Sequence, residues 1–212
     1  MTIYRTFDEL LKESVALHGH LCPGQVLGVR LAMYGLELLG IDDPKGKDRK
    51  RLMVFVEIDR CATDAIQSVT GCSLGKRSLK WKDYGIMAAT FLDLANDRAV
   101  RIIAREEARK LADKYAPAGI EGKYARQIEA YKVMPDRELF EVQEVKVRVP
   151  EADMPGRPGR RVQCHKCGEW IQDFRDIEID GKILCRPCAH GGYYEIIGQN
   201  PNPKIGEKEE ER

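Results

Sequence analysis

Leu52-Met53-Val54-Phe55-Val56-Glu57-Ile58, followed at once by Asp59-Arg60-Cys61-Ala62-Thr63-Asp64-Ala65-Ile66-Gln67, is the stretch on which the fold turns. The apolar, branched first half reads as a buried strand. The second half reads as a loop entering a short helix. Cys61 then lies between strand and helix, a frequent place for a functional side chain. Upstream, Thr6 and Glu9 have capping-box spacing, and a helix runs from there to about Leu17 with Leu10, Leu11, Ser14, Val15 and Leu17 inward. A second helix spans Gln25 to Leu39, stops at Gly40, and buries Val26, Val29, Met33, Leu36 and Leu39. Lys45 to Arg51 reads as a solvated basic loop. Downstream come a turn at Gly71–Lys76, a strand within Tyr84–Leu94 and a candidate strand at Val100–Ile103. An exposed helix over Arg105–Tyr115 and another over Glu121–Val133 follow. Glu144–Val149 alternates cleanly, which predicts a half-buried antiparallel strand. This irregular succession predicts an α+β fold with an antiparallel or mixed sheet, not a regular parallel α/β fold.

Between the first two helices lies His18-Gly19-His20-Leu21-Cys22-Pro23-Gly24. Two imidazoles and a thiol at i, i+2 and i+4 share one face of an extended segment, and His18 and Cys22 also share a helix face. Imidazole nitrogen and thiolate sulfur are preferred ligands of zinc, iron and copper. The same trio could make a base-activated nucleophile, and the plainest alternative is a buried cysteine beside two hydrogen-bonded histidines. Pro23 suits the first helical position, so Cys22 is expected at the N-cap, where the helix dipole stabilises negative charge. Cys61 and Cys72, with Asp64 and Gln67 three apart on the intervening helix, are candidates to join this cluster in space.

Cys164-x2-Cys167, then 17 residues, then Cys185-x2-Cys188 is the spacing of a four-cysteine zinc site. Each CxxC knuckle supplies two thiolates, and Gly168 and Gly181 support a knuckle–hairpin–knuckle layout. His165 and His190 lie alongside, but four thiolates already complete the shell. A unit this short buries little core, so metal binding must supply much of its folding free energy. The division expected is a core domain over 1–150 with the His/Cys site, a Pro/Gly-rich linker over 151–161, the four-cysteine domain over 162–198 and a charged tail over 199–212.

The 212 residues are 43% hydrophobic, enough for a core, and carry 35 basic against 34 acidic side chains. That balance gives no general case for nucleic-acid binding; only local patches such as Arg157, Arg160 and Arg161 could support it. No apolar run reaches the ~18 residues of a membrane span, and the N-terminus lacks a signal pattern, so a cytoplasmic, non-membrane protein is expected. Seven cysteines in a reducing compartment point to metal ligands or reactive thiols rather than disulfides.

Taken together, His18-Gly19-His20-Leu21-Cys22-Pro23-Gly24, the run Cys61–Lys76 and Asp83-Tyr84-Gly85 resemble the E-subunit family of formylmethanofuran dehydrogenase over roughly Phe7 to Pro150. The resemblance implies an α+β core with a Cys/His site at His20, Cys22, Cys61 and Cys72, with His18, Asp64 and Gln67 nearby. It also implies a C-terminal zinc finger in some members and an intertwined homodimer. Nothing here resembles a molybdopterin-binding or iron–sulfur chain, so formylmethanofuran oxidation by this chain alone is not expected.

The cofactor expectation is therefore structural zinc at Cys164, Cys167, Cys185 and Cys188, and a second transition metal, zinc by preference, at His18, His20, Cys22 and Cys61. The competing readings are a regulator or adaptor whose finger contacts protein or nucleic acid, and a thiol-dependent enzyme using Cys22 or Cys61 with His20 as base.

Overall fold

The computed structural model describes residues 5–198. The expected tail over 199–212 lies outside them. The chain divides into two compact units, the first ending at Gly156 and the second starting at Arg157.

The first unit is α+β, with helices against a mixed sheet. Helix α1 (Phe7–His18) starts at the capping box: Thr6 Oγ1 accepts the Glu9 amide, and the Glu9 carboxylate accepts the Thr6 amide at 2.8 Å. It stops at Gly19, whose φ of 94° is one that only glycine adopts cheaply. Helix α2 (Pro23–Leu39) follows at once, with Pro23 in its first turn and Cys22 as an extended N-cap. Strand β1 (Leu52–Val56), helix α3 (Cys61–Thr70) and strand β2 (Leu79–Trp81) form a parallel crossover unit. Strands β3 (Ala88–Asp93), β4 (Arg98–Ala104) and β5 (Phe140–Val145) extend the sheet antiparallel, in the order β2-β1-β3-β4-β5. Helices α4 (Glu107–Tyr115), α5 (Lys123–Val133) and the short α6 (Asp136–Leu139) lie between β4 and β5 in the chain.

Successive strand residues point to opposite faces, and both faces of the central strands are covered. Leu52, Val54, Val56, Phe91, Val100 and Ile102 meet the helices in the main core. Met53, Leu92 and Ala99 form a second cluster on the other face, covered by Val145, Val147 and Val149. The valine alternation of Glu144–Val149 is therefore real, but pairing ends at Val145 and the later valines act as an apolar cover. On that face Arg101 forks onto the buried Glu57 carboxylate at 2.6 and 2.7 Å, so this charge is paired and not stranded.

Two further expectations are corrected, and one element was not expected. Leu17 is exposed. The helix over 107–115 is not merely superficial, because Ala108 and Ala112 are buried in the main core. Strand β2 was not legible, being only 3 residues long and too short to show a period.

Helices α2 and α3 pack closely through glycine. A Cβ on Gly28 would stand 2.7 Å from the Ala62 carbonyl oxygen and from Ala65 Cβ, and one on Gly24 would stand 2.9 Å from Cys61 Cβ. Gly28→Ala is therefore expected to push the helices apart and cost about 2 kcal/mol, the usual scale of overpacking. Chemical denaturation followed by Trp81 fluorescence in a Trp170→Phe background measures that loss.

Candidate metal centres

The ends of three helices meet at one point. His18 is the last residue of α1, Cys22 is the N-cap of α2, and Cys61 opens α3 at the carboxyl end of β1. The carboxyl ends of parallel strands are a favoured place for ligand sites. A ring nitrogen of His18 and the two sulfurs lie within 4.8 Å of one another, close enough to hold a metal ion. His18 Nδ1 is taken by Asp64 Oδ2 at 2.8 Å, one turn along α3 from Cys61. His18 Nε2 is buried and has no hydrogen-bond partner. A buried, unpartnered ring nitrogen is costly unless it has a ligand to bind. A carboxylate on the other nitrogen is the usual way to fix a metal-ligating imidazole.

The candidate residues therefore separate. His18, Cys22 and Cys61 come together. His20 is exposed and outside the ligand set, although its ring centroid is 4.6 Å from that of His18. Gln67 lies a turn beyond Asp64 on α3. Cys72 is in the main core beyond the far end of α3, its Sγ 3.7 Å from the Leu52 carbonyl oxygen. Since α3 is 10 residues long, or ~15 Å, Cys72 cannot join the cluster.

Burial, then hydrogen bonding and repulsion from the Cys22 sulfur, push the Cys61 thiol up. That is the opposite of what a free thiolate nucleophile needs. A cation held between the two sulfurs relieves the repulsion.

Two residues that sequence reasoning did not single out as site residues hold Cys61 in place. Gln25, fully buried, donates from Nε2 to the Cys61 carbonyl at 2.6 Å, and Ser14 Oγ donates to Gln25 Oε1. The chain Ser14–Gln25–Cys61 joins α1, α2 and α3 beneath the site. The available signal was a glutamine in phase with the buried positions Val29, Ala32 and Leu36 of α2.

In the second unit Cys164, Cys167, Cys185 and Cys188 also lie within 4.8 Å of one another. Strands β6 (Arg161–Gln163) and β7 (Trp170–Gln172) flank the first knuckle. Strands β8 (Ile177–Ile179) and β9 (Lys182–Leu184) turn at Asp180-Gly181, both with positive φ, before the second knuckle and helix α7 (Arg186–His190). Backbone amides aimed at the Cys164 sulfur, that of Cys167 foremost, bring its thiol down to about 6. Hydrogen bonding to the Cys185 sulfur, with burial and the other sulfurs, pushes Cys188 up to about 12. His165 is not a ligand: its Nδ1 accepts the Ile183 amide at 3.1 Å, fastening β9 to the first knuckle.

The family described as "FmdE, Molybdenum formylmethanofuran dehydrogenase operon" matches residues 17–141. The chain belongs to the FmdE family. The match contains His18, Cys22, Cys61 and Asp64 and stops before the four-cysteine unit. A probable S-adenosyl-L-methionine-binding protein of Archaeoglobus fulgidus is 32% identical over 209 residues; the alignment covers 90% of this chain but only 55% of that protein. The crystal structure of a tungsten formylmethanofuran dehydrogenase FmdE-like protein from Syntrophus aciditrophicus shares the fold, with a TM-score of 0.62 and 20% identity over 92% of this chain and 98% of that one. Among the described residues no helix is long and apolar enough to cross a membrane.

Asp64→Ala is expected to leave the fold intact, since the carboxylate is half exposed, but to weaken core metal binding about 10- to 100-fold. Competition with a chromophoric chelator reads that change.

Proposed function

We propose that this FmdE-family chain is a two-site zinc protein. His18 Nε2, Cys22 Sγ and Cys61 Sγ would hold a catalytic-type zinc, and the four cysteines a structural one. The reading rests on the buried His18 Nε2 left without a partner beside two sulfurs. Three protein ligands leave one position of a tetrahedral shell for water or substrate, as in catalytic zinc sites, whereas four thiolates close it. Zn–S bonds of ~2.3 Å place sulfurs ~3.8 Å apart in a tetrahedron; the Cys167 and Cys185 sulfurs are 3.7 Å apart. When bound, a zinc with an open position supplies a Lewis acid. The protein's own part is to fix the ligands: Asp64 sets the His18 tautomer, and Gln25 fixes the carbonyl of Cys61. His20, exposed with its ring centroid 4.6 Å from that of His18, would be a proton donor or acceptor beside the site.

A second reading follows from the Archaeoglobus relative, whose match covers nearly all of this chain. If the shared half of that protein carries the property in its name, this chain binds S-adenosylmethionine. Equilibrium dialysis tests it. Binding lost in Cys22→Ser locates the ligand at the core site, and absence of binding leaves the property with the unmatched part of that relative.

Elemental analysis of purified protein tests the zinc assignment. About two zinc ions per chain are expected, falling to about one in Cys22→Ser with the fold retained, and to about one in Cys185→Ser with the second unit unfolded. About one ion in both wild type and Cys22→Ser would sink the core assignment.

A further inference from the structure

We infer that the four-cysteine unit carries a binding surface for single-stranded nucleic acid, built on Trp170 and the basic stretch that precedes it. Between Asp153 and Glu169 the sequence has no acidic residue, but it has Arg157, Arg160, Arg161 and Lys166. All four are exposed. The unit's acids follow afterwards, so a near-neutral composition hides a segregated charge. Arg160 is partly engaged, with Asp176 at 3.2 Å.

The β6–β7 pair sorts its side chains into two faces. Register sets Arg161 opposite Gln172, Val162 opposite Ile171, and Gln163 opposite Trp170. Val162 and Ile171 turn inward to the cysteines, in a small core completed by Ile183 and Leu184. Arg161, Trp170 and Gln172 are left on the outer face, exposed. Trp170 is 57% exposed and plays no part in that core. The Arg161 guanidinium lies over its ring, 4.9 Å from the centroid.

A cation-backed indole next to a basic, acid-free run over 154–168 matches a polymer of alternating anions and flat rings. Bases of any sequence stack on an aromatic side chain, and neighbouring guanidinium and ammonium groups neutralise phosphates. Trp and Arg also anchor protein interfaces; what favours a polyanion here is the run over 154–168, which has four basic and no acidic side chains. This inference is independent of the core metal assignment.

Fluorescence anisotropy of labelled 12-nucleotide DNA and RNA strands, titrated with the purified full chain, is the test. Saturable binding to either strand is expected. For about three phosphate contacts, tripling the salt from about 50 to about 150 mM should weaken it about tenfold. Trp170→Ala should weaken it at least about fivefold, while Trp170→Phe, which keeps a ring, should stay within about threefold of wild type. Unchanged zinc content in both variants establishes that the unit is folded. Absence of saturable binding at low salt, or binding indifferent to Trp170→Ala, overturns the inference.

Discussion

The structure of the first unit depends on how closely α2 can approach α3. Gly24 and Gly28 leave no side chain on the face of α2 that meets Cys61, Ala62 and Ala65. The backbones therefore come together at a distance no larger residue allows, and Cys22 and Cys61 meet as a consequence. Glycine inside a helix costs about 1 kcal/mol of intrinsic stability. Here that cost is offset by close packing, because α2 buries Val26, Leu27, Val29, Leu31, Ala32, Leu36 and Leu39. The polar chain Ser14–Gln25–Cys61 then fixes the rotation of the three helices, which packing alone would leave loosely specified. A hydrogen bond to a backbone carbonyl acts on the position of Cys61 without consuming its thiol.

The charges around the core site are consistent with a cation there. Cys22 caps α2 and Cys61 opens α3, so both sulfurs sit at helix N-termini, where partial positive charge gathers. His18 ends α1, where the dipole is negative and favours a nearby cation. Asp64 adds a carboxylate behind the imidazole. Without an ion, the assembly holds two sulfurs that repel when both are ionised and a ring nitrogen with nothing to bind. With one, each of these local costs becomes a ligand bond. Proteins tolerate such locally unfavourable groups chiefly at functional sites.

Much of this was legible in the sequence because it rests on local rules. The Thr6–Glu9 capping box, Cys22 as N-cap ahead of Pro23, the strand ending before Cys61 and the spacing of the four cysteines are each read from a few neighbouring residues. What escaped depends on distance in space. Three residues of β2 have no period to detect, and only pairing with β1 makes them a strand. Cys72 looks like a partner of Cys61 in sequence, but a complete helix intervenes. His20 and His18 are equivalent as letters in a motif. Only the end of α1 at Gly19, which buries one ring and exposes the other, tells them apart. Gln25 resembles a helix-start residue until Cys61, 36 positions later, supplies its acceptor.

The two units also show two ways of holding cysteines. In the first, a large hydrophobic core holds the three helices together, so His18, Cys22 and Cys61 are positioned by packing and hydrogen bonds. In the second, the buried apolar contribution is Ile171 with the part-buried Val162, Ile183 and Leu184, and two of the four cysteines are themselves buried members of that cluster. Hydrophobic burial on this scale cannot by itself outweigh the conformational entropy of ordering the chain. A metal held by the four sulfurs, as proposed, would supply the missing stability, and a shell that supplies stability is a closed one. A metal that substitutes for a core would release large side chains from packing. Trp170 is one such side chain, lying outside the cluster with Arg161 over its ring.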